Sequence, residues 1–207
     1  MKRIFLMGLL ALALPMAAFA GSVGVDFSNQ GGTLTGSSSG LVLTGSELIG
    51  VEGFNGLGPI NGALGAVNFS TGTYVSTQGS GLNSIATFNG GGTFQILSNG
   101  LFGLPSGTIF NGSFSGPVSL TLEAISANGG DTYLLSGNVS ETWYNGTAVK
   151  GFTSQVYIFT GKNGWMGSST LGSGDTIITT VPEPGTLGLL GTGLVGLAGI
   201  VRRKLKA

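Results

Sequence analysis

Two carboxylates, Glu123 and Glu141, fall on successive segments in which apolar and polar residues alternate. On neighbouring strands such a pair can act as the acid and the base or nucleophile that flank a glycosidic bond. Glu123 takes the polar parity of its segment, where a solvated carboxylate is the ordinary outcome, whereas Glu141 takes the apolar parity. Trp143, Tyr144 and Trp165 offer rings that can stack on sugars, although aromatic residues in a β protein more often fill the core. Asn128, Gly129, Gly130 and Asp131 carry oxygen ligands for calcium, but one carboxylate falls short of the about six to eight oxygens a site requires. A turn is the simpler reading. Asn68-Phe69-Ser70, Asn111-Gly112-Ser113, Asn138-Val139-Ser140 and Asn145-Gly146-Thr147 match the N-glycosylation pattern, which arises readily in a chain rich in Ser, Thr and Asn.

The chain of 207 residues contains neither Cys nor His. That removes thiolate and imidazole ligands, the Cys nucleophile and the Ser-His-Asp relay. No catalytic residue, metal or cofactor is therefore expected, and the chain is not expected to be an enzyme. Formal net charge is zero, yet Lys2, Arg3, Arg202, Arg203, Lys204 and Lys206 are all terminal. Between them only Lys150 and Lys162 stand against eight acidic residues, so the middle is acidic and should not attract nucleic acid.

Both ends read as targeting segments. Lys2 and Arg3, the apolar run Ile4–Leu14, Pro15 and then Ala18-Phe19-Ala20 have the three regions of a secretory signal peptide, with signal-peptidase cleavage expected after Ala20. Residues 1–20 would be removed, leaving a domain over 21–180. At the other end, residues 185–201 are uncharged and span roughly 25 Å if helical at ~1.5 Å per residue, near the lower limit for crossing a bilayer. The basic residues Arg202, Arg203, Lys204 and Lys206 follow at once, so the positive-inside rule leaves them cytoplasmic and everything before Gly185 outside. Pro182 and Pro184 hold the intervening segment extended, because each fixes its own φ and biases the preceding residue away from helix.

Val181-Pro182-Glu183-Pro184, the short apolar run and the basic tail together resemble the PEP-CTERM sorting signal, the C-terminal segment recognised by exosortases. The resemblance covers residues 181–207 alone, with the motif at 181–184, the span at 185–201 and the tail at 202–207. It implies export, transient anchoring in the inner membrane, and cleavage near Pro182, Glu183 and Pro184. Release or transfer to the cell surface would follow. It also implies an exopolysaccharide-producing Gram-negative setting, in which such proteins serve as surface or matrix components. Exosortase and signal peptidase are thus the expected processing partners, with extracellular polysaccharide as a further candidate.

The middle is built for turns and strands. Gly supplies 41 residues and costs roughly 1 kcal/mol per helical site relative to Ala. Ser113–Ala124 alternates cleanly, Thr132–Tyr144 does likewise, and Ala127–Asp131 supplies turn chemistry between them. Asn145-Gly146 opens a second turn into Val149–Thr160, which is apolar on both faces near its end and so belongs inside a sheet. Weaker strands are expected at 23–27, 41–51, 66–75, 84–88, 93–97, 108–114 and 175–180. The fold class is all-β: an antiparallel β-sandwich, jelly roll or barrel, flanked by the signal peptide and a single C-terminal transmembrane helix. An outer-membrane barrel shares the alternation but not the aromatic girdles. One internal echo pairs Asn29–Leu34 with Asn89–Phe94. The expected role is an exported, non-enzymatic surface or matrix protein. Carbohydrate binding is the alternative, and a glycoside hydrolase ranks third.

Overall fold

A computed structural model of the protein describes residues 24–125, 130–159 and 164–180. The expected signal peptide, sorting motif, apolar span and basic tail lie outside those residues, as does most of the turn at 127–131. Twelve strands follow in chain order: β1 (Gly24–Gln30), β2 (Thr33–Ser37), β3 (Gly40–Glu52), β4 (Ile60–Ser70), β5 (Tyr74–Gln78) and β6 (Ile85–Phe88). Then come β7 (Gly91–Asn99), β8 (Ser106–Phe114), β9 (Val118–Ala124), β10 (Asp131–Trp143), β11 (Ala148–Phe159) and β12 (Gly167–Thr180). Among the described residues, the helical pieces are three-residue 3-10 turns, and no helix is long and apolar enough to cross a membrane.

Pairing joins several of these strands end to end. β1 and β2 both lie between β12 and β3, so they act as one bent strand. β8 and β9 both pair with β10, while β6 and β7 together line them on the other side. β4 and β5 complete the series against β7 and β6. The result is an eight-stranded antiparallel barrel in which each bent strand neighbours the next in sequence and β12 closes onto β1. Of the architectures expected, the closed barrel forms rather than the sandwich or jelly roll, because Gly24–Asn29 pairs continuously with Thr179–Gly174. Closure removes the open edges that a sandwich would retain.

The bends explain where the structure departs from the alternation in the sequence. Ser113–Ala124 reads as one strand but is two, since β8 ends at Phe114 and β9 begins at Val118, beyond Gly116 and Pro117. Proline cannot donate to the ladder at that break. β2 was not expected from its Gly- and Ser-containing sequence, and β12 starts at Gly167, well before residue 175. The echoed segments are both hinges. Gly31 and Gly32 separate β1 from β2 with φ of 66° and 79°, and Gly91 and Gly92 take φ of 90° and 67° after β6. A Cβ on Gly32 would lie 2.5 Å from the Ser46 nitrogen, so glycine is required there for the strand to fold over its neighbour.

The interior is filled by side chains. Phe27, Phe69, Phe88, Phe94, Phe110 and Tyr157 are fully buried, and Phe69 stacks on Phe94 with centroids 5.6 Å apart. β11 is paired on both sides, as expected, but its inward face is partly polar. Thr153 and Gln155 are buried, whereas Phe152 and Ile158 face outward. The polar groups satisfy one another: Asn29 Nδ2 donates to Ser46 Oγ at 2.7 Å and to Gln155 Oε1 at 2.9 Å. Gln155 Nε2 donates back to Asn29 Oδ1 at 3.1 Å and to Thr153 Oγ1 at 2.9 Å. Thr153 and Thr176 share a hydroxyl contact of 2.9 Å. This network crosses the seam between the first strand and the last two.

The Tyr157 hydroxyl is buried without a hydrogen-bond partner among the described residues. Burial pushes its pKa well above the usual tyrosine value. Opposite outcomes are therefore expected for two neighbouring substitutions, read by urea unfolding. Gln155→Leu should cost about 2–3 kcal/mol by stranding Asn29 and Thr153, whereas Tyr157→Phe should be neutral or gain up to about 1 kcal/mol. Equal losses from both would overturn this account of the interior.

Candidate functional site

One end of the barrel gathers the start of β1, the end of β12, the β10–β11 turn and two loops of matching design. The first loop turns at Gly53 (φ 78°), runs through the 3-10 turn Phe54–Gly56, and closes with Leu57 N–H donating to the Phe54 carbonyl at 2.8 Å. The second turns at Gly100 (φ 83°), runs through Leu101–Gly103, and closes with Leu104 N–H donating to the Leu101 carbonyl at 3.1 Å. The middle residue of each is left-handed: Asn55 at φ 49° and Phe102 at φ 56°. Because β12 ends here at Thr180, we term this end the exit rim.

An aromatic cluster plugs the rim. Trp143 is 9% exposed, with Phe54 at 5.6 Å and Phe27 at 5.8 Å between ring centroids. Tyr144 is 42% exposed and accepts a hydrogen bond from Asn55 Nδ2 at 2.9 Å. Shallow cavities flank the pair. One of about 210 Å³ is bordered by Val25, Asn55, Val149 and Ile178, and one of about 200 Å³ by Thr108, Asn111 and Thr142. Both fall below the about 300 Å³ at which small-molecule sites usually begin. Trp165 lies at the opposite end, buried against Tyr74 and Phe88 at 5.1 and 5.0 Å. The fold thus brings Trp143 and Tyr144 together and keeps Trp165 apart.

The candidate acid pair is also separated. Ala124 and Leu122 pair with Thr132 and Tyr133, which precede Glu141 on β10 by nine and eight residues. At about 3.3 Å per residue that places Glu123 roughly 26–30 Å along the strand from Glu141. Glycosidic cleavage needs carboxylates within about 5–10 Å. Glu123 is exposed, and so is Glu141, which accepts a hydrogen bond from Ser113 Oγ at 3.2 Å. Glu141 has φ 143°, a conformation that costs a non-glycine residue about 1–3 kcal/mol. Its apolar parity in the sequence is lost at this backbone irregularity, and Trp143 turns inward beyond it.

Other polar constellations escaped sequence reasoning because their members are distant in the chain. Asp26 pairs directly with Glu52 across β1 and β3, and Asp175 stands opposite Ser28, accepting from its hydroxyl at 2.9 Å. Burial first, then the carboxylates of Asp175 and Glu52, pushes the Asp26 pKa above its ordinary value, while a hydrogen bond from the Phe27 backbone works the other way. The Asn29–Gln155 pair left a faint signal: each is a polar residue at a parity that otherwise points inward, beside Phe27 and Tyr157 respectively.

Folded Asp26 holds its proton more tightly than the unfolded chain does, so its destabilising charge is absent below the ordinary carboxylate pKa and develops as pH rises through the raised value. Asp26→Asn should accordingly raise the melting temperature at pH 7 and leave it unchanged near pH 3. A variant no more stable than the wild type at pH 7 would contradict the assignment. Glu141→Gly should gain about 1 kcal/mol in urea unfolding, the relief of strain exceeding the entropy cost of glycine; a loss would show that the Glu141 side chain contributes more than its backbone costs.

Comparison with curated proteins and with solved structures found no match. One family description does match, that of the PEP-CTERM protein-sorting motif, over residues 180–204. The match begins at the last residue of β12 and covers the tail rather than the barrel. The chain therefore carries a PEP-CTERM sorting motif at its C-terminus, joined directly to the exit rim of an eight-stranded barrel.

Proposed function

We propose that this is an exported, non-enzymatic barrel protein, anchored by its tail in the inner membrane and processed by an exosortase at Pro182, Glu183 and Pro184. The observation that carries this reading is the motif match at residues 180–204, starting where the folded strands stop. Ala18 and Ala20 mark the signal-peptidase site in the same scheme, while Arg202, Arg203, Lys204 and Lys206 hold the tail on the cytoplasmic side. After processing, the barrel becomes a component of the cell surface or extracellular matrix. The separation of Glu123 from Glu141 favours a structural over a hydrolytic role.

Carbohydrate binding is the second reading, favoured by the exposed Tyr144 ring between two shallow cavities that carry Asn55, Asn111 and Thr108. Stacking of an aromatic face on a sugar needs no charged group. A pull-down with the host's extracellular polysaccharide, lost on Tyr144→Ala and kept on Trp165→Phe, would support it; equal retention by both variants would remove it.

The sorting reading is tested in the native host by fractionating wild type and a Pro182/Glu183/Pro184→Ala variant, followed by intact mass. Wild type should leave the membrane as a product lacking Arg202–Ala207, and the variant should stay membrane-bound at greater mass. Identical processing of the two would overturn the reading.

A further inference from the structure

An antiparallel sheet with one face on a core alternates apolar side chains inward with polar ones outward, and β11 reverses that order. Thr153 and Gln155 are buried inside the barrel, whereas Phe152 is 46% exposed and Val156 and Ile158 share its outward face. A slip of one residue would exchange the two faces. The Asn29–Gln155 amide pair holds the strand in the setting that leaves the apolar set outside.

The neighbouring strands extend the patch. Ile177 of β12, 48% exposed, pairs directly with Phe152, and Leu134 of β10 pairs with Val156. Single exposed apolar residues are ordinary, but a run of them on three adjacent strands is the mark of an interaction surface. Three strands about 4.8 Å apart, each of some 12 residues at about 3.3 Å, outline roughly 14 by 40 Å. Two such faces together cover about 1,100 Å², at the lower end for a specific interface.

Charge selects the occupant. Lys150 is the one cation among the described residues, and neither it nor Asp175 forms an ion pair with another of them. Asp175 takes the Ser28 hydroxyl, and Glu141, opposite the neighbouring Val149, is engaged by Ser113. Lys150 stands two residues to one side of the Phe152–Ile177 row, while Asp175, paired with Ser154, stands two residues to the other. At about 3.3 Å per residue each is roughly 7 Å from that row. A two-fold axis crossing the strands along the row exchanges the two sides. It lays each Lys150 over Ser154 of a second copy, one strand spacing of about 4.8 Å from Asp175. The same axis sets Phe152 on Phe152 and Ile177 on Ile177, so the patch is complementary to itself. Asp26 and Glu52 lie beyond β12, on β1 and β3, where the barrel wall curves away from such a contact.

We propose that the outer wall of β10, β11 and β12 is a homodimer interface, in which Phe152 and Ile177 meet their counterparts and each Lys150 reaches the partner's Asp175. The apolar row supplies the burial, and the two charge pairs fix the antiparallel alignment. The inference is independent of the sorting reading above.

The test uses the full chain in detergent micelles. Because the chain has no Cys, one introduced thiol reports proximity between copies without background. Asn138 lies on the Phe152 row and is exposed, whereas Thr93 is exposed on β7, four steps round the ring from β12. Asn138→Cys should give covalent dimers with a short bis-maleimide, and Thr93→Cys should not. In the Asn138→Cys background, Lys150→Asp or Asp175→Lys alone should lower the dimer yield about threefold, and the two together should restore it. Phe152→Ser should abolish it with tryptophan fluorescence unchanged. If that variant disturbs the fluorescence, the charge reversals decide. Equal yields at positions 138 and 93, or none at 138, would overturn the interface. Charge reversals that leave the yield unchanged, or a double reversal that fails to restore it, would overturn the pairing of Lys150 with Asp175 and with it the two-fold arrangement.

Discussion

The barrel depends on its first strand meeting its last. β1 pairs with β12 over six consecutive residue pairs, and inside that seam Asn29 and Gln155 exchange amide hydrogen bonds across a sequence separation of 126 residues. Without this meeting, β12 and β1 would each present an unpaired edge, the condition under which strands recruit other chains. The contact is also about as non-local as the chain allows, so the loop-closure entropy must be met by ladder bonds and buried apolar surface together. The polar network adds register: amide groups at fixed heights on β1 and β11 are satisfied in one alignment and stranded in a slipped one.

Closure in turn dictates how the strands bend. Eight strands of this length wrap around a filled interior only if they curve sharply, and the chain does this by breaking four of them into two pieces at Gly-containing hinges. The interior that results is packed with Phe rings and two end-plugging Trp residues, Trp143 at one end and Trp165 at the other. Such a barrel offers surfaces and shallow rims rather than a lumen.

The ends are unequal because the chain enters and leaves at the same one. Gly24 is paired with Thr179, so the segment expected to be removed by signal peptidase and the segment that carries the sorting motif adjoin neighbouring strands. The motif match begins at the last residue of β12, so in the sequence no linker separates the folded strands from it. The two rim loops then show one backbone device used twice. Phe54 beneath Trp143 serves the core, and Phe102 faces outward. Closely similar dihedral angles do not imply the same purpose.

Much was legible in the sequence where the signal is local. The sorting tail is a contiguous run of residue types, so composition and order suffice to read it. The all-β class and the β10–β11 hairpin follow from period-two alternation and from Asn145-Gly146, which are short-range facts about backbone preference. Tertiary structure alone decided the rest. That Glu123 and Glu141 lie far apart, that Asp26, Glu52 and Asp175 lie together, and that Phe152 faces out while Thr153 and Gln155 face in all depend on which strands become neighbours. Alternation names two faces of a strand but not which of them a closed barrel will enclose. That choice is made by hydrogen-bond partners more than a hundred residues away, to which no local pattern can point.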